Sequence, residues 1–68
     1  ASVYIQARSE GPLGVVRVLD VHGRVWMREE TTEFSLLLDV NSLSPGTYFL
    51  ETGAARGRTI SRFVVHRP

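Results

Sequence analysis

Nowhere along this chain do apolar residues keep the 3.6-residue spacing of an amphipathic helix. Short β-branched and aromatic runs recur instead, each broken by glycine, proline, aspartate or asparagine. That rhythm reads as all-β. It places strands near Val3 to Arg8, Val15 to Asp20, Arg24 to Glu29, Glu33 to Val40, Thr47 to Thr52 and Arg58 to His66. Strands at this spacing, with turn signals between them, suggest a small antiparallel sandwich. No internal repeat, low-complexity stretch or linker interrupts it.

Alternation then assigns the faces, because successive strand side chains point to opposite sides. Val16 and Val18 turn inward while Arg17 meets water. Phe34, Leu36, Leu38 and Val40 form a second inward row with Ser35 and Asp39 behind it, and Tyr48 and Leu50 alternate with Thr47, Phe49 and Glu51. Ile60 and Phe63 have opposite parity, so a bulge is expected between them. Trp26, Leu37 and Phe49 are left on outward faces, where partial cover from a neighbouring sheet or loop is expected ahead of an exposed contact patch.

Two connections carry strong turn chemistry. Asp20-Val21-His22-Gly23-Arg24 has the layout of a three-residue hairpin, with aspartate accepting backbone hydrogen bonds and glycine supplying positive φ. Arg24 then emerges beside Asp20, within reach of a charge-assisted bond. Asn41-Ser42-Leu43-Ser44-Pro45-Gly46 predicts one short helical turn that plugs Leu43 into the end of the core, followed by a type II turn on Pro45 and Gly46. The segment Gly53-Ala54-Ala55-Arg56-Gly57 reads as a plain surface hairpin loop.

At 68 residues the core is small, since such a chain buries only about 60% of its unfolded surface. The chain has no cysteine, so disulfides, thiolate zinc sites and cysteine nucleophiles are all excluded. Its eight basic residues are all arginine, spread from Arg8 to Arg67 among seven acids for a net charge of +1, unlike the concentrated basic face of a nucleic-acid binder. No apolar run approaches the ~20 residues of a membrane span, which argues against direct membrane insertion. His22 and His66 lack a strained nucleophile turn to serve, and Asp20 with His22 leaves most of a metal shell unfilled. Glu29, Glu30 and Glu33 read as an acidic rim, with too few oxygens for calcium. No catalytic, cofactor or metal residues are expected, and a recognition or structural module remains.

Three fragments taken together resemble a known family. They are Val16-Arg17-Val18-Leu19-Asp20-Val21-His22-Gly23-Arg24-Val25, then Leu38-Asp39-Val40-Asn41-Ser42-Leu43-Ser44-Pro45-Gly46-Thr47-Tyr48-Phe49-Leu50, and last Arg62-Phe63-Val64-Val65. In this order they are similar to the C-terminal sorting domain, type A, of cargo proteins of the type IX secretion system in Bacteroidetes-group bacteria. Members begin with a Pro-Asn-Pro type segment and keep lysine near the C-terminus. This chain lacks the first and has Arg62, Arg67 and a final Pro68 at the second. The expected layout is one domain over 1–68 without that opening segment.

The resemblance implies an immunoglobulin-like antiparallel β-sandwich of six to seven strands at the end of a longer secreted protein. It would be a non-catalytic secretion signal, recognised in the periplasm and directed through the outer-membrane translocon to the cell surface or the extracellular space. Removal by a sortase-like peptidase often follows. Carried over by position, the motif residues are Asp20, Gly23, Arg24, Leu43, Gly46 and Tyr48, with Arg62 and Arg67 at the basic end. Unpaired sandwich edges add the expectation of a strand-paired homodimer. The competing reading is an accessory carbohydrate-binding or adhesive module using Trp26 and Phe49 as stacking platforms; a third is a structural spacer.

Overall fold

The computed structural model describes residues 4–8, 11–54 and 57–66. Six strands follow in chain order: β1 (Tyr4–Arg8), β2 (Gly14–Asp20), β3 (Val25–Thr31), β4 (Ser35–Asp39), β5 (Gly46–Ala54) and β6 (Gly57–Val65). They divide into a two-stranded sheet, β1-β4, and a four-stranded sheet in the order β3-β2-β5-β6, with every pairing antiparallel. Val3, the expected start of the first strand, lies outside the described residues.

The inward rows meet in one core. Val16 and Val18 of β2 pack with Tyr48 and Leu50 of β5, Val65 of β6 and Leu38 of β4, so both sheets contribute to a single buried cluster. Val40, Leu43 and Leu13 fill it from the connections, and Met27, Leu36 and Phe63 pack against it half-buried. Leu13 carries no alternation signal because it precedes its strand. It is held inside by a bond from its amide to the Glu33 carbonyl at 2.9 Å, which ties together the two connections that pass between the sheets.

Phe34 departs from its expected row. It sits in the bend before β4 and is 56% exposed, so the inward row begins at Leu36. The bulge is also elsewhere. The β5–β6 register runs unbroken from Gly46 opposite Val65 to Ala54 opposite Gly57, which sends Ile60 outward and Phe63 inward by ordinary alternation. The irregularity falls between β2 and β3, where Val18 opposes Met27 but Leu19 opposes Val25, leaving Trp26 as the extra residue. The residues joining β5 to β6, Ala55 and Arg56, are outside the described set.

Between β4 and β5 no helical turn forms. The Asp39 carboxylate accepts the Asn41 amide at 2.9 Å, and the Leu43 amide reaches the Val40 carbonyl at 3.0 Å, so side chain and backbone build a tight turn that drops Leu43 into the core. Gly46 has positive φ, but at 151° it is far from the ~80° of a type II turn and serves to open β5. Tyr48 closes the corner: its hydroxyl donates to the Ser44 carbonyl at 2.7 Å, and its ring stacks on Phe63 with centroids 5.9 Å apart.

Leu43→Ala removes a fully packed plug and should cost about 2–4 kcal/mol. In a domain of this size that lowers the melting temperature by at least about 10 °C, measurable by circular dichroism. Gly46→Val forces a β-branched residue into a positive-φ position and should cost on the order of 1–2 kcal/mol. The space itself is open, with only the Tyr48 ring at 4.0 Å, so a melting temperature unchanged by Gly46→Val would refute the backbone explanation.

Candidate recognition surface

The hairpin between β2 and β3 is organised by one carboxylate. Asp20 Oδ1 accepts the amides of His22 at 2.8 Å and Arg24 at 3.0 Å, and Oδ2 accepts the indole N–H of Trp26 at 3.0 Å. Backbone bonds run from the Gly23 amide to the Asp20 carbonyl and from the Asp20 amide to the Arg24 carbonyl, and Gly23 takes φ 82°. The indole bond is the main cause that holds the Asp20 carboxyl below the usual carboxylate range. The Arg24 amide adds to it, partial burial opposes it, and the His22 amide and ring charge add less.

Arg24 meets Asp20 through its backbone amide, while its guanidinium lies 4.4 Å over the centre of the Trp26 ring. Trp26 is 48% exposed, yet one face is covered by that cation and its N–H is engaged. The stacking platform expected at this residue is thus already engaged on one ring face by the chain's own arginine. Of the other outward apolar residues Phe49 is half-buried, whereas Leu37 is 64% exposed without the expected cover.

Glu51 keeps the outward parity expected of it, yet it is buried. Only 7% exposed, it lies between two arginines from flanking strands: Arg17 of β2 engages Oε1 through both Nε and a terminal nitrogen, and Arg58 of β6 approaches Oε2 at 3.4 Å. Opposite charges at matching parity hint at such a triad, but only the β2–β5 register places Arg17 directly across from Glu51. Leu19, Phe49 and Ile60 line an open groove of about 330 Å³ on the same outer face. Among the described residues no cluster of three or more His, Cys, Asp or Glu could hold a metal ion. His22 and His66 are both exposed.

The register brings the separated motif residues to one end of the four-stranded sheet. Asp20 pairs with Tyr48, Tyr48 with Phe63, and Gly46 with Val65. Arg62 is in the next row, opposite Phe49. Gly23 and Arg24 are on the hairpin that leaves Asp20, while Leu43 is on the connection before β5 and Gly46 opens that strand two residues ahead of Tyr48. Arg67 lies outside the described residues.

Such an arrangement defines a small antiparallel β module displaying turns and a terminal strand. The chain belongs to the secretion system C-terminal sorting domain family, whose family model matches residues 1–66. It is thus a sorting-signal domain of the type IX secretion system, a family of non-catalytic tails that engage that machinery and mark proteins for the cell surface or the extracellular space. No curated protein and no solved structure matches the chain.

Because the Asp20 carboxyl titrates lower in the folded state, its charged form stabilises the fold. The contribution is complete above the ordinary value of 3.8 and is lost as pH falls through the lower folded-state value. Asp20→Asn should lower the melting temperature near neutral pH and shrink the further drop between about pH 5 and pH 2. Identical pH profiles for the two proteins would show that the carboxylate's charge is irrelevant to the hairpin.

Proposed function

We propose that the chain is a folded address, read at the end of the four-stranded sheet where Asp20, Tyr48 and Phe63 share one row. That convergence carries the reading: fragments far apart in sequence become neighbours only in the folded domain. Through it the domain directs its cargo from the periplasm across the outer membrane via the secretion translocon. As in domains of this kind that are often cleaved after export, a sortase-like peptidase is the enzyme that would remove it, leaving the cargo at the cell surface or released.

Two features support an immunoglobulin-like sandwich spanning 1–68 as the scaffold. The neighbours β1-β4 and β3-β2-β5-β6 correspond to strands B-E and C′-C-F-G of that fold. The Tyr48 hydroxyl bonded to the Ser44 carbonyl, at the crossing into the sheet's F-like strand, corresponds to its tyrosine corner. The machinery would meet exposed turns and the free side of β6, where backbone groups can accept an added strand and Arg62, with Arg67 beyond it, supplies charge selectivity.

Arg62→Glu combined with Arg67→Glu, in the domain fused to a reporter and expressed in a host with the type IX system, should reduce export by roughly tenfold or more. The melting temperature of the isolated double variant serves as the folding control. Unchanged export would remove the basic terminal strand from the mechanism.

A further inference from the structure

The four-stranded sheet has two edges, and they are built differently. On β3 the bulge at Trp26 and the consecutive charges Arg28, Glu29 and Glu30 obstruct strand addition. β6 is nine residues long and regular, its two arginines alternating on one face with exposed Ile60 and Val64. The two-stranded sheet offers strands of only five residues. Among the described residues β6 is therefore the long edge with the fewest obstacles to pairing.

We infer that β6 pairs antiparallel with β6 of a second copy of this chain, about a two-fold axis through Ser61. The charge pattern selects this register. Centred on Ser61, the midpoint of the strand, the ladder uses all of Gly57–Val65 and sets Arg58 opposite Val64 and Arg62 opposite Ile60 of the second copy. Each guanidinium stem then covers an aliphatic side chain that is otherwise in water; Ile60 alone is 61% exposed. Centring on Ile60 would set Arg58 against Arg62, and centring on Arg62 would set that residue against itself, both unfavourable. Centres farther out leave much of the strand unpaired.

A single strand pair is a small interface, so the dimer is transient and concentration-dependent. It also covers the edge that the proposed translocon contact would use, so the two states exclude one another. The pairing itself does not depend on that reading.

Since the chain has no cysteine, a single introduced thiol is a clean probe. Under mild oxidation of the 68-residue chain at high concentration, Ser61→Cys should form a disulfide dimer about tenfold faster than Thr59→Cys. In the inferred register the two copies of position 59 are about 13 Å apart along the strands, beyond disulfide reach. Adding Ile60→Arg to Ser61→Cys places like charges opposite each other and should slow the cross-link by roughly fivefold. Both positions are exposed, and melting temperatures confirm that the variants fold. Equal rates at 59 and 61, indifference to Ile60→Arg, or a wild-type chain that sediments as a monomer at about millimolar concentration would overturn the inference.

Discussion

The ladder between β2 and β5 holds the larger sheet together. β2 with β3 and β5 with β6 are local hairpins, each closed by a short connection, and neither has a complete core of its own. Six cross-strand pairs, from Val15 opposite Gly53 to Asp20 opposite Tyr48, join them. Val18 opposite Leu50 puts two core side chains near the centre of that seam. Forming it requires closing a long loop that contains β3 and β4, an entropic cost that local hairpins avoid. The Tyr48 corner bond and the Arg17–Glu51 pair sit at opposite faces of the seam and oppose slippage between its strands.

Much of this was legible in the sequence because two-residue alternation reports directly on which face is buried. Val16, Val18, Leu38, Val40, Tyr48 and Leu50 are all inside as their parity requires. The Asp20 hairpin was legible for a different reason: a short carboxylate and a glycine at that spacing have few other conformations to satisfy. What escaped were features set by partners across the sheet. Glu51 looks solvated until Arg17 and Arg58 are aligned with it, Leu13 looks like loop until Glu33 captures its amide, and Ile60 and Phe63 look irregular until each is given its own face. The Asn41–Gly46 segment deceived locally, since its composition suits a helical turn as well as the side-chain-anchored turn that forms.

The candidate recognition surface shows the same division. Its residues could be named from motif spacing, but their convergence could not, because it depends on two registers at once. Asp20 reaches Phe63 only through Tyr48, and a one-residue slip in either ladder would send one of them to the opposite face. A sorting machinery that reads this end of the sheet would thereby inspect folding as well as identity. An unfolded chain with the same residues would present none of the row.

The single tryptophan gives this end of the molecule its own optical gauge. Trp26 lies beneath a guanidinium and donates its indole proton to a carboxylate, so its excited-state dipole senses two fixed charges of opposite sign. Any ligand that displaces Arg24 or redirects Asp20 must change that electric field. Emission wavelength and quenching therefore report occupancy of the hairpin tip without a label, in a chain whose other aromatics are tyrosine and phenylalanine.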